Sequence, residues 1–151
     1  MTDYTLLTQQ LHAFCEAEPY FVPLLSNASA LLWQALPDIN WAGFYFLHEG
    51  ALLLGPFQGK PACIRIPLGR GVCGTAAAEK RILRVADVHA FPGHIACDNA
   101  SNSEIVLPIV QNGAVMGVLD IDSPQKARFT AEEEAGLRAF TEELAAYCRF
   151  A

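Results

Sequence analysis

The sequence predicts an α+β domain with an antiparallel sheet of about six strands and helices from both ends of the chain on one of its faces. Three observations lead to this fold class. Apolar residues recur at helical spacing near both termini, several strand-like runs lie between them, and a clear β-hairpin comes late in the chain. A loop-rich insertion is expected to cover the other face of the sheet.

Two amphipathic helices are predicted at the start of the chain. The first covers residues 4–16 and takes Asp3 as its N-cap. The second begins at Phe21, accommodates Pro23 in its first turn and ends at Pro37. A last helix is predicted after Thr130, where the sequence TAEE forms a capping box.

The middle of the chain favours strands. Strands are predicted over residues 40–47, 51–54, 63–66 and 82–85, with a short helix over 71–79. The hairpin pairs residues 104–111 with 114–121 across Asn112-Gly113, a strong type I′ turn signal. Residues 86–103 show no period, and structureless segments of that length are usually functional.

Composition fits a single domain over residues 1–151, because 52% of the residues are hydrophobic and 17% are charged. That content excludes a disordered chain. The formal net charge of −6, with no basic run, argues against nucleic acid and anionic membranes as partners. Neither a signal peptide nor a membrane span is predicted, so a cytoplasmic location is expected.

The chain contains five cysteines, which a reducing compartment keeps as buried thiols, metal ligands or redox catalysts. Cys15 and Cys148 lie on the apolar stripes of the terminal helices and are expected in the core. Cys63, Cys73 and Cys97 fall in the middle third. Cys73 is placed near a helix start, where the dipole would stabilise a thiolate, and Cys97 lies in a turn-rich loop. Such thiols, if gathered together, would form a relay of attack and disulfide resolution.

Zinc is the rival interpretation of these residues. His94, Cys97, Cys63 and Cys73 have suitable ligand chemistry. However, the chain lacks a Cys-x-x-Cys pair, so neither a metal nor another cofactor is expected. His94 is then expected to face solvent from a loop.

The acidic residues of the hairpin are the second informative group. Asp120 and Asp122 are two apart on a strand and share a face with Met116 and Val118. They either line a site or simply end the strand and cap a turn.

The position of Glu104 depends on the hairpin register. A regular two-residue hairpin would place Glu104 opposite Ile121, on the other face from Asp120, and Pro108 opposite Gly117. Because proline cannot donate to the ladder, we expect a bulge there. The bulge would turn Glu104 onto the face of the aspartates.

Trp41 and Tyr45 lie an even number of residues apart on the first predicted strand, so their rings face the same way. They form either part of the core or the wall of a pocket for a small sulfur-containing group.

Several motifs together resemble the free methionine-(R)-sulfoxide reductases, a family built on a GAF domain. The resemblance covers most of the chain, from about residue 4 to the last helix. The matching motifs are LGPFQGK (54–60), ACIRI (62–66), GRGVCGT (69–75), GHIACD (93–98), ASNSEIVLP (100–108) and GVLDIDS (117–123).

The resemblance implies reduction of free methionine-(R)-sulfoxide, with roles for specific residues. Cys97 would be the nucleophile, Cys63 the resolving cysteine and Cys73 an auxiliary thiol. The acids of the substrate pocket would be Glu104, Asp120 and Asp122, with Trp41 against the substrate methyl group.

The chemistry of these residues fits such a reaction. A thiolate attacks the sulfoxide sulfur while a carboxyl group, protonated through repulsion by its neighbours, protonates the oxygen. The remaining negative charge suits the ammonium of a free amino acid. No arginine is an obvious partner for the substrate carboxylate, which backbone N–H groups would hold. Thioredoxin is the expected reductant. A GAF sensor that only binds a ligand is the alternative, and monomer and homodimer both stay open.

Overall fold

The computed structural model describes residues 1–95 and 100–151. It contains helices α1 to α4, strands β1 to β6 and one 3₁₀ turn. The helices are α1 Tyr4–Ala17, α2 Phe21–Ala35, α3 Gly71–Glu79 and α4 Ala131–Tyr147, and the 3₁₀ turn is Val88–Ala90. The strands are β1 Trp41–His48, β2 Ala51–Gly59, β3 Arg65–Pro67, β4 Leu83–Val85, β5 Ser103–Gln111 and β6 Ala114–Ser123.

The six strands form one antiparallel sheet in the order β3-β2-β1-β6-β5-β4. Its two faces are covered by different layers, which confirms the predicted α+β architecture. Apolar residues of α1, α2 and α4 pack with one face of the central strands, whereas α3 and the segment before β3 pack on the other. The domain therefore has two hydrophobic clusters separated by the sheet.

The predicted helix caps are confirmed. The Asp3 side chain accepts a hydrogen bond from the Leu6 backbone N–H at 3.0 Å. At the start of α4, Thr130 and Glu133 form the reciprocal capping box. Cys15 and Cys148 are buried in the helix-side cluster, as expected for small apolar side chains. Burial raises the pKa of the Cys15 thiol to about 11 and that of Cys148 to about 12.

The end of β2 and the start of β3 differ from the prediction. β2 continues to Gly59, beyond the predicted end at residue 54, because its pairing with β1 passes Gly55 and Pro56 through an irregularity in register. β3 begins at Arg65, so Cys63 lies before the strand and not in it. Cys63 is thus part of a connection between strands, and its position is not set by the strand ladder.

The hairpin contains the predicted bulge. Gln111 pairs with Ala114 as in a regular turn, but the register shifts between Ile109 and Val110, one residue after Pro108. As a result, Glu104 pairs with Asp122. The same shift corrects one expectation: Val115, not Met116, packs with Val118 in the cluster on the α3 side.

Among residues 1–95 and 100–151, no helix is both long and apolar enough to cross a bilayer.

Candidate active site

A cavity opens on the α3 face of the sheet. With its mouth included, it holds about 570 Å³ of space outside protein atoms. Its lining comes from the sheet, the start of α3 and the two loops beside them. The lining residues are Trp41, Tyr45, Pro61, Ala62, Ile66, Arg70, Gly71, Val72, Cys73, His94, Ile95, Ser101, Glu104, Asp120 and Asp122.

The cavity floor is a row of directly paired residues on three neighbouring strands. Trp41 of β1 pairs with Asp122 of β6, and Asp122 pairs with Glu104 of β5. Residues paired in this way point to the same face. The shift of register beside Pro108 is what completes the row, because without it Glu104 would face the helix layer.

Asp120 lies two residues before Asp122, on the same face of β6, and its side chain is buried. It is only 5% exposed, and its Oδ1 has no hydrogen-bond partner among the described residues. Burial raises the pKa of Asp120 well above its usual range, and the charges of Asp122 and Glu104 raise it further. These surroundings therefore favour the protonated form of Asp120.

Cys73, on α3, contacts the acidic residues of the sheet. Its thiol donates to Glu104 Oε2 across 3.8 Å, and its side chain is buried. The Sγ atom of Cys73 and one carboxylate oxygen each of Glu104 and Asp120 lie within 4.8 Å of one another. The three elements α3, β5 and β6 thus bring together the side chains at the centre of the cavity.

The predicted thiolate at Cys73 is wrong. Cys73 occupies the first turn of α3 as expected, but burial raises its pKa well above the usual value, and the cluster of neighbouring carboxyl groups raises it further. Desolvation and neighbouring negative charge both disfavour a second anion, and they outweigh the helix dipole. The residue is a neutral thiol.

Trp41 and Tyr45 line the cavity as an aromatic wall, and both also belong to the hydrophobic cluster on this face of the sheet. Both are buried, and their rings stack with centroids 5.9 Å apart. Gly43 lies between them on the same face of β1, where β2 approaches closely. A Cβ at Gly43 would collide with the Cβ of Phe57, whose ring stacks on the other part of Trp41 at 5.2 Å.

Cys63 lies beside this wall. It packs against the same cluster as Trp41 and Tyr45, and its carbonyl oxygen accepts a hydrogen bond from the Tyr45 hydroxyl at 3.0 Å. Cys97 lies outside the described residues. The predicted meeting of Cys63 and Cys97 therefore stays a prediction.

The sequence interpretation missed Arg70. It is the N-cap residue of α3 and lines the cavity, together with Gly71 and Val72 of the first turn. The first N–H groups of a helix lack intrahelical acceptors, so this corner combines hydrogen-bond donors with a positive charge. The signal was present in the GRG sequence before Val72, since glycines at a helix start allow close backbone approach. An arginine is thus available for a substrate carboxylate, contrary to expectation.

His94 also differs from the prediction. It is half-buried and lines the cavity, with its ring against the edge of His89 at a centroid distance of 6.2 Å. Within the part of the chain that the structure describes, the donor atoms that converge are those of Cys73, Glu104 and Asp120. Neither His94 nor Cys63 is in that group, so two of the four proposed zinc ligands do not join it.

Comparison with known proteins places this site in a family. The model of the GAF domain family matches residues 4–147. The free methionine-R-sulfoxide reductase of Escherichia coli strain K12 is 57% identical over 141 residues, which make up 93% of this chain and 86% of that protein. The chain belongs to the free methionine-R-sulfoxide reductase family of GAF-domain proteins. The resemblance noted in the sequence is confirmed.

Solved structures agree with this membership of the reductase family. The structure of fRMsr from Staphylococcus aureus in its reduced form has a TM-score of 0.95 and 50% identity, covering 99% of this chain and 97% of that one. The free methionine-R-sulfoxide reductase of Neisseria meningitidis in complex with its substrate has a TM-score of 0.91 and 40% identity, covering 95% of this chain and 87% of that one. The GAF fold of this family member thus matches solved relatives along nearly its whole length.

Proposed function

We propose that this protein reduces free methionine-(R)-sulfoxide to methionine with a cysteine nucleophile. One observation carries the proposal: the buried acids Asp120 and Glu104 face a cavity whose wall is the aromatic side chain of Trp41. Such a site provides a proton, a cation-binding group and an apolar surface, and a zwitterionic amino acid sulfoxide requires all three.

The substrate fits the cavity by charge. Its ammonium lies against Glu104 and Asp122, while its carboxylate binds the backbone N–H groups at the start of α3 and the side chain of Arg70. These two corners are close, since Cys73 of α3 approaches Glu104 within 3.8 Å. Adjacent anionic and cationic corners of the cavity suit an α-amino acid, because its ammonium and carboxylate groups are attached to the same carbon atom. The methyl group packs on Trp41.

The reaction begins at Cys97. Its thiolate attacks the sulfoxide sulfur and forms a sulfur–sulfur bond, while Asp120 supplies the proton that the oxygen takes up. The hydroxyl group then passes from the substrate sulfur to the sulfur of Cys97 as the sulfur–sulfur bond breaks, which leaves Cys97 as a sulfenic acid and releases methionine. Cys63 then attacks the sulfenic sulfur, the sulfur–oxygen bond breaks, and a disulfide and water form. Two electrons from the two cysteines have then reduced one substrate.

Cys63 is the resolving residue in this scheme because Cys73 remains protonated. A thiolate, not a thiol, is the nucleophile in disulfide formation. Cys73 instead donates a hydrogen bond to Glu104.

The test is an assay with reduced protein, racemic free methionine sulfoxide and dithiothreitol. Methionine is expected to form and to stop at half conversion, because one of the two sulfur epimers is consumed. N-acetylmethionine sulfoxide is the matched control substrate, since it lacks the ammonium and should give no product. Binding of methionine sulfoxide without any methionine would favour a GAF sensor and refute the proposed activity.

Thioredoxin is the proposed physiological reductant, and the surface beside Cys63 supports a protein partner. Ile64 follows Cys63 and is 74% exposed, a high value for an isoleucine, and Leu68 nearby is also exposed. Exposed apolar residues at a point where a partner must approach serve as contact surface.

We expect Ile64→Ser to raise the KM for thioredoxin by about tenfold, which is the usual cost of losing an interface anchor. Turnover driven by dithiothreitol should not change, because a small reductant needs no docking surface. Val22→Ser is the control, since Val22 is 47% exposed on α2. An unchanged KM in Ile64→Ser would contradict docking at this surface.

A further inference from the structure

We propose that Tyr45, assisted by Trp41, is a positioning residue that holds the connection before β3 so that Cys63 can resolve the sulfenic acid. The inference rests on the proposed function and deepens it. It concerns the second step of the cycle, the formation of the disulfide. Packing of the two rings against the substrate contributes only to the first step.

Both rings donate hydrogen bonds to one short segment. Trp41 Nε1 donates to the carbonyl oxygen of Lys60 at 3.1 Å, and the Tyr45 hydroxyl donates to that of Cys63 at 3.0 Å. The backbone N–H of Leu54 donates to the carbonyl oxygen of Ile64 at 2.9 Å. Residues 60–64 belong to no helix or strand. Donors from β1 and β2 therefore hold three carbonyl groups of this irregular segment.

The Tyr45 hydroxyl is not needed for the wall. A phenylalanine would stack on Trp41 equally well, yet the ring is buried with a polar atom that must be satisfied. Burial raises the pKa of Tyr45 above its usual value, and the nearby acidic cluster raises it further, so the hydroxyl remains a donor. Its acceptor is the backbone of the residue that carries the resolving thiol.

The consequence is kinetic. Attack of Cys63 on the sulfenic acid is an intramolecular step, whose rate depends on how closely the two groups are held in reacting geometry. Loss of one neutral hydrogen bond of this kind changes a local equilibrium by about tenfold. Removing the donor to the Cys63 carbonyl should slow resolution by about that factor.

The experiment uses Tyr45→Phe, with Tyr4→Phe as the matched control. Tyr4 donates to Glu133 at 2.8 Å in the helix layer, so the same hydroxyl is removed away from the cavity. Each pre-reduced protein is mixed with one equivalent of methionine-(R)-sulfoxide and dimedone, without reductant. In Tyr45→Phe, disulfide formation should slow by about tenfold. The dimedone-labelled sulfenic acid should accumulate, while wild type and Tyr4→Phe proceed to disulfide.

Hydrogen exchange distinguishes failure of the positioning role of Tyr45 from failure of the proposed reductase activity. The amides of residues 60 and 62–64, and that of Leu54, which donates to Ile64, should exchange faster in Tyr45→Phe than in Tyr4→Phe, independently of any turnover. Wild-type resolution and wild-type exchange in Tyr45→Phe, with a working wild-type enzyme, would overturn the positioning role alone. Absence of methionine from the wild-type protein would instead overturn the proposed function, and the role of Tyr45 in resolution with it.

Discussion

Cys97→Ser is expected to abolish methionine formation altogether, whereas Cys63→Ser should still form one equivalent per protein and then stop. A serine hydroxyl is not ionised at neutral pH and cannot take oxygen from a sulfoxide. Without Cys63, the sulfenic acid forms once but has no proposed partner for resolution. Methionine is counted by mass spectrometry after mixing reduced protein with excess substrate. Without another reductant, wild type also stops at one equivalent, whereas with thioredoxin wild type should continue and Cys63→Ser should not.

The matched control for these variants is Cys15→Ala. Cys15 is buried in the helix layer and lies on the other side of the sheet from the cavity. Its loss should lower the free energy of unfolding without changing the yield of one methionine per protein. Repeated turnover by Cys97→Ser would contradict its assignment as nucleophile. Sustained turnover by Cys63→Ser with thioredoxin would contradict its role in resolution.

The elements of this domain could be predicted largely because each obeys a local rule. Asp3 and Thr130 mark helix starts, and Asn112 with Gly113 marks the hairpin. Even the turn of Glu104 toward the aspartates followed from a local cause, the missing N–H of Pro108. β2 extends further than predicted because Gly55 and Pro56, which usually end a strand, are accommodated in the ladder.

The properties of the candidate site were harder to predict, since they arise from residues far apart in the chain. The helix position of Cys73 favours a thiolate, and only the packing of α3 over Glu104 and Asp120 reverses this. His94 and Arg70 line the cavity because of how their segments fold over the sheet. No spacing in the sequence contains that information. Family resemblance, not periodicity, identified the residues of the relay.

Asp120→Asn is expected to lower the rate of methionine formation by about 10² to 10⁴, the usual contribution of a general acid. An amide keeps the size of the side chain but cannot deliver the proton that the sulfoxide oxygen needs. The rate is measured under single-turnover conditions with saturating substrate. A rate within a few-fold of wild type would contradict the role of Asp120 as proton donor.

The same substitution should make the protein more stable at neutral pH. The folded-state pKa of Asp120 is raised above its unfolded value of 3.8, so folding takes up a proton in the range between the two. Wild-type stability from this group is greatest below the unfolded pKa and is lost as pH rises toward the folded one. The Asp120→Asn variant would have no such cost, and the new amide can donate to the neighbouring carboxylates. We expect a gain of about 1–3 kcal/mol in the free energy of unfolding.

Urea unfolding at pH 5 and pH 8 measures this effect, with Asp87→Asn as the control of opposite sign. Asp87 is a surface carboxylate whose pKa is lowered by the backbone N–H of His89 and by Lys126 at 3.4 Å. Its stabilising effect is present above the unfolded pKa and is lost as pH falls through the folded one. Asp87→Asn should therefore destabilise slightly at both pH values. Asp120→Asn should stabilise more at pH 8 than at pH 5, because in wild type a raised pKa costs more stability as the pH increases. A stability gain accompanied by loss of activity would mean that the buried acid is retained for the reaction at the expense of the fold.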